Sequence, residues 1–178
     1  VELLTEHAED FRERIGAPVK LTAVAVRDAS KARPGIPSEL ITDDAVAVAS
    51  SGVDIVVELM GGIEPARECI LAAMAAGSSV VTANKALLAE DGARLFQAAE
   101  QHGVDLSFEA SVAGAIPLLR PLRESLAGDR VRKVMGIVNG TTNFMLTKMD
   151  EEGVEYADVF AEADALGYLE SDQSLDVD

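Results

Sequence analysis

The sequence predicts an α/β protein: a doubly wound parallel sheet with helices on both faces, followed by part of a second α/β domain. Three observations carry this. Short β-branched runs alternate with helix-length segments. The run Asp54 to Glu58 (DIVVE) is almost wholly apolar, as in a parallel strand covered on both faces. Prolines and glycines sit where helices start and stop: Pro65 and Gly77 bracket one, and Gly103 closes the next.

The chain opens on a helix, Glu2 to Ile15, with Leu3, Leu4, Ala8, Phe11 and Ile15 at helical spacing. Leu21 to Val26 (LTAVAV) is a strand. Pro34-Gly35 and Pro37 mark a loop or a short helix start, and Asp43 to Ser51 a short helix. After DIVVE, Met60-Gly61-Gly62 breaks the run and a helix extends from Pro65 to Gly77. Ser79 to Thr82 (SVVT) is a strand, Ala86 to His102 a helix, and Val104 to Phe108 a strand. A second part starts near Glu109, so the expected domains are 1–108 and 109–178. In it Pro121 kinks or restarts a helix, and Val131 to Val138 (VRKVMGIV) is a strand. Thr141 to Met149 is a helix opened by the polar turn Asn139-Gly140-Thr141-Thr142. Tyr156 to Leu166 is an amphipathic helix capped by Gly167.

Composition narrows the function. A net charge of −16 leaves no cationic surplus for nucleic acid or for an anionic membrane surface. Aromatics at 4% require an aliphatic core. Cys69, the single cysteine, builds neither an internal disulfide nor a thiolate metal cage. In its alanine-rich helix it reads as a small buried side chain, which leaves no thiolate nucleophile for a phosphorylating aldehyde dehydrogenase. The longest uncharged apolar stretch, Cys69 to Ala83, is too short and too polar to span a bilayer. No cationic start precedes an apolar run, so a reduced, cytoplasmic setting is expected.

Parallel sheets bind ligands at the carboxyl ends of their strands. Four segments therefore become candidates: Arg27-Asp28, Leu59 to Gly62, Ala83-Asn84-Lys85 and Glu109 to Gly114. Lys85 opens a helix, where the dipole disfavours a cation, so a cofactor contact explains it better than a solvated surface. Arg27 suits the 2′-phosphate of NADP, whereas the adjacent Asp28 suits the 2′-hydroxyl of NAD. Leu59, Met60, Gly61 and Gly62 either let a flat ligand approach the backbone or form an ordinary tight turn. Glu109, followed by small residues, is either part of an oxygen shell for a hard cation or a capping glutamate at a domain hinge. Thr141 and Thr142 cap the next helix or reach a substrate. Glu170, Asp172 and Asp176 form an acidic tail that is either solvated or a partner for a substrate ammonium.

Four blocks resemble homoserine dehydrogenases. They are Thr82-Ala83-Asn84-Lys85-Ala86-Leu87-Leu88-Ala89, Phe108-Glu109-Ala110-Ser111-Val112-Ala113-Gly114-Ala115-Ile116-Pro117, the segment Gly136 to Asp150 (GIVNGTTNFMLTKMD), and Ala165 to Asp172 (ALGYLESD). The resemblance runs from residue 1 to residue 178. It implies a Rossmann-type NAD(P)-binding domain and part of a substrate-binding and dimerisation domain. It further implies reversible oxidation of L-homoserine to L-aspartate 4-semialdehyde in threonine, methionine and isoleucine biosynthesis, by a homodimer. By the same resemblance Arg27, Leu59, Met60, Gly61, Lys85 and Gly167 meet the cofactor, NADP or NAD. Glu170 takes the substrate amine, with Asp176 and Thr142 on the substrate side. A sodium ion is held by Glu109, Val112, Gly114 and Ile116. The opening glycine-rich loop is expected before Val1 and the catalytic lysine after Asp178. Two rivals stay open: another nicotinamide-dependent oxidoreductase, and a non-catalytic dinucleotide-fold module.

Overall fold

The computed structural model describes residues 1–114, 116–137 and 139–169. The opening helix is two pieces, α1 (Glu2–Glu6) and α2 (Ala8–Ile15), which meet at His7. Neither buries a residue, so periodicity alone had nothing to straighten against. Two short strands follow, β1 (Val24–Ala25) and β2 (Ile41–Thr42), paired in parallel. The run Leu21 to Val26 thus yields a two-residue strand, while β2 is set by its neighbour rather than by any pattern of its own. Asp44 caps α3 (Ala45–Ala49) by accepting from the Ala47 N–H.

The main sheet is β3 (Ile55–Glu58), β4 (Ser79–Thr82) and β5 (Leu106–Ser107), in that spatial order and all parallel. Its crossovers are α4 (Ala66–Ala75) and α5 (Lys85–His102). Gly77 and Gly103, at φ 86° and 65°, turn the chain out of these helices. The helix α5 begins at Lys85, one residue before the sequence places it, and is kinked at Asp91 (φ −133°). The core is aliphatic: Ile70 and Met74 from α4, Val80 from β4, Leu87 and Leu95 from α5, with Ala66, Ala73 and Ala99 filling between. One expectation fails here. The strand β3 is not covered on both faces, since Ile55 and Val57 are 58% and 55% exposed. It lies at the edge of its sheet, where alternate side chains have no layer over them.

The chain divides into two compact units, Val1–Pro121 and Leu122–Asp178. At the division, Pro121–Ser125 forms a π-helical turn, the restart that Pro121 imposes. In the second unit, α6 (Gly140–Glu152) and α7 (Tyr156–Ala165) pack through Met145, Val159 and Ala163. The predicted strand over 131–138 is not formed in its described residues, 131–137. Val131, Val134, Met135 and Ile137 stand exposed there. β-branched residues favour a strand only when a neighbour completes the ladder.

Candidate functional site

The carboxyl ends of β3 and β4 are joined by register. Glu58 lies opposite Thr82, so both side chains emerge from the last rung on one side of the sheet, and both are buried. The Thr82 hydroxyl donates to Glu58 Oε2 at 2.6 Å. Glu58 Oε1 accepts the N–H groups of Met60, at 2.7 Å, and Gly61, at 3.2 Å. Thr82 Oγ1 in turn accepts the Asn84 N–H at 3.0 Å. Asn84 works in two directions. Its Oδ1 accepts the Leu87 N–H and caps α5, and its Nδ2 donates to the Gly62 carbonyl at 2.7 Å. Ser111 Oγ donates to the Thr82 carbonyl at 2.9 Å, which brings in the loop after β5.

Beside this network is a hollow of about 290 Å³ lined by Lys85, Leu88, Ala89, Phe96, Phe108, Ser111 and Val112. The Phe96 and Phe108 rings pack edge to face, 5.2 Å between centroids. Three of the four candidate strand ends therefore converge. Lys85 sits on an apolar hollow with Val112, and Leu59 to Gly62 is tied to the start of its helix. Leu59 is 72% exposed, and Met60 is also exposed. Gly61 and Gly62 both take φ 71°, with open space where a Cβ would stand. Their left-handed backbone is one a side chain would strain. Because Glu58 holds the Met60 and Gly61 N–H groups, this turn does not offer them to an anion.

The fourth strand end behaves differently. Arg27 is exposed and makes no ion pair among the described residues. Asp28 is turned into its own loop: Oδ1 accepts the Ser30 hydroxyl at 2.6 Å and the Ser30 N–H at 3.0 Å. Those two bonds hold its carboxyl below the ordinary range.

Glu109 is a helix cap in this structure. Oε1 accepts the N–H groups of Leu118 and Leu119, and Oε2 that of Arg120. The Gly114 carbonyl accepts the Ile116 N–H at 2.7 Å. Of the expected sodium ligands, these two already have protein partners. Among the described residues no group of three His, Cys, Asp or Glu converges on a metal position.

In the second unit the cap of α6 is Asn139, whose Oδ1 accepts the Thr142 N–H at 2.9 Å. Neither threonine caps. Thr141 donates instead to the Tyr168 carbonyl at 2.8 Å. Gly167, at φ 72°, closes α7. Glu170, Asp172 and Asp176 lie outside the described residues. Burial pushes the Cys69 thiol up, away from thiolate, as its place in the core requires. Sequence reasoning missed Glu58 and Thr82 as site residues, and it reached Ser111 only as a member of the segment Glu109 to Gly114. The available signal was a carboxylate ending an otherwise apolar strand, beside a neighbour that ends in threonine.

Comparison with known proteins places the chain. Residues 1–109 match the family described as homoserine dehydrogenase, NAD binding domain, and residues 117–178 match the homoserine dehydrogenase family. The chain belongs to the homoserine dehydrogenase family. The homoserine dehydrogenase of Corynebacterium glutamicum is 56% identical over the whole chain, which spans 40% of that protein. The crystal structure of the homoserine dehydrogenase from Thiobacillus denitrificans aligns with TM-score 0.90 at 43% identity, over 99% of this chain and 41% of that one. A hyperthermophilic archaeal homoserine dehydrogenase in complex with NADPH aligns with TM-score 0.68 at 28% identity, over 97% of this chain and 49% of that one. The strand ends described above thus belong to a Rossmann-type domain that takes a nicotinamide cofactor. No described helix is long and apolar enough to cross a membrane.

Proposed function

We propose that the protein to which this chain belongs interconverts L-homoserine and L-aspartate 4-semialdehyde with NADP. The carrying observation is the convergence of Lys85 and the two-glycine turn at one sheet edge, within a domain of this family. The cofactor, when bound, supplies the hydride acceptor. This chain's residues bind and orient it. Leu59 and Met60 give apolar cover, Gly61 and Gly62 let the backbone approach, and Lys85 places a cation at the mouth of an apolar hollow. In the second unit, Thr142 and Gly167 open and follow the helix pair. Glu170 is read as the partner of the substrate ammonium, with Asp176 on the substrate side; this rests on the sequence blocks. A sodium ion at 109–116 would use the carbonyls of Val112 and Ile116 and the lone pair that Glu109 keeps beyond its three N–H bonds. The domain division near Glu109, a homodimer built by residues after it, and a cytoplasmic setting complete the reading. The exposed apolar residues of 131–137 support the dimer.

NADP is preferred to NAD on one observation. Asp28 spends its carboxylate on Ser30, whereas Arg27 is exposed at the strand end. Arg27→Ala in the full-length protein should weaken NADP by about tenfold to a hundredfold and leave NAD nearly unchanged. Titration of both cofactors against the variant checks this. Equal losses would overturn the phosphate role.

A further inference from the structure

Glu58 is the least expected group in the molecule. It is a carboxylate 3% exposed, at the end of a strand, and its partners are neutral: two backbone N–H groups and one hydroxyl. Burying a carboxylate is costly, and the site recovers that cost only through well-aimed donors. Those donors lie on two different pieces of the ligand edge. Met60 and Gly61 belong to the turn after β3, and Thr82 ends β4. Through Thr82 the connection reaches Asn84 and the start of α5, and through the Thr82 carbonyl it reaches Ser111.

The chain of bonds also has a fixed direction. Thr82 Oγ1 accepts from the Asn84 N–H, so its own hydrogen must go to Glu58. A neutral amide at position 58 cannot satisfy this. With its NH2 toward Thr82, the threonine hydrogen loses its acceptor. With its NH2 toward the turn, two N–H donors face it instead of an acceptor.

We propose that Glu58 is a positioning residue. Its carboxylate draws the turn Leu59–Gly62, the Asn84–Lys85 helix start and the Ser111 loop into the single arrangement that receives the dinucleotide. This rests on the cofactor site proposed above. Glu58 itself need not touch the ligand. Its action is to keep the Met60 and Gly61 N–H groups turned inward and to hold Asn84 on the Gly62 carbonyl, so that Lys85 is presented at a set distance from the two-glycine turn.

The test is a crossed pair of variants in the full-length protein. Thr82 is fully buried, so its methyl and its hydroxyl can be separated. Thr82→Val keeps the volume and loses the hydroxyl, whereas Thr82→Ser keeps the hydroxyl and loses a methyl. Positioning predicts that Thr82→Val and Glu58→Gln weaken NADPH binding by about tenfold to a hundredfold. Thr82→Ser should stay within about threefold, because the hydroxyl that carries the connection remains. Packing alone predicts the reverse order, with the cavity-forming serine the worse. Binding is read by NADPH fluorescence on samples whose circular dichroism shows them folded. Wild-type-like binding by Thr82→Val, or equal losses from both threonine variants, would overturn the proposal. Should the unmutated protein bind no dinucleotide, the cofactor reading falls. The positioning role is then judged by hydrogen exchange. Faster exchange at Met60, Gly61 and Asn84 in Thr82→Val but not in Thr82→Ser sustains it, and unchanged protection ends it.

Discussion

The two compact units bury their apolar residues on different scales. In the first, three parallel strands and their helices share one core that includes fully buried Ile70, Met74, Leu87 and Leu95. In the second, one pair of helices closes over Met145, Val159 and Ala163. A parallel sheet offers each crossover helix a continuous apolar surface, whereas two helices alone meet along one narrow stripe. Rigid placement of polar groups such as Glu58 and Asn84 is therefore possible in the first unit. The second adds to its small core the Asn139 cap and the Lys148–Glu162 ion pair at its margins.

Core truncation should separate the two most strongly. Ile70→Ala leaves a cavity under the sheet and should cost about 2–5 kcal/mol. Val159→Ala should cost about 1–3 kcal/mol, and its effect should be local. Hydrogen exchange checks the second point. Amides of α6 and α7 should lose protection while those of β3 to β5 keep it. Equal loss across both units would show that they unfold as one, and the contrast would fail.

The cap of α6 comes next. Asn139→Ala removes the acceptor of the Thr142 N–H and should cost about 1 kcal/mol in a denaturant titration followed by helix signal. Within error of zero, the helix start is held by something other than its cap.

The smallest effect concerns Lys148, which bridges α6 to Glu162 of α7 at 2.6 and 2.7 Å. That hydrogen bonding holds its ammonium above the ordinary lysine range against the opposing effect of burial, and Glu152 adds to it. A folded-state value raised above the unfolded one stabilises below the ordinary lysine range. The contribution is lost as pH rises through the raised value. Circular dichroism on an alkaline titration should show the second unit loosening, and Lys148→Met should remove that step. An unchanged alkaline step in the variant would assign it elsewhere.

Much of this fold was legible in the residues. Alternation of strand and helix, DIVVE and SVVT, and the closing glycines Gly77 and Gly103 are local signals, and each acts within a few residues of itself. The four sequence blocks likewise identified the family, and Lys85 was singled out because a cation at a helix start is out of place. Other features have no local sign. The strand β2 exists because β1 lies beside it, and 131–137 is not a strand because no neighbour completes it. Thr142 read as a possible cap, yet Asn139 takes that role, since the residue just before the first turn is the one whose side chain reaches the open N–H groups. Above all, the Glu58 network depends on register. Glu58 and Thr82 are 24 residues apart and meet only because β3 and β4 pair in parallel with their last rungs aligned. Hydrophobic period and turn chemistry are written in consecutive residues. Which buried polar group meets which is settled by the pairing of distant strands, where an unsatisfied donor costs too much to leave unmatched.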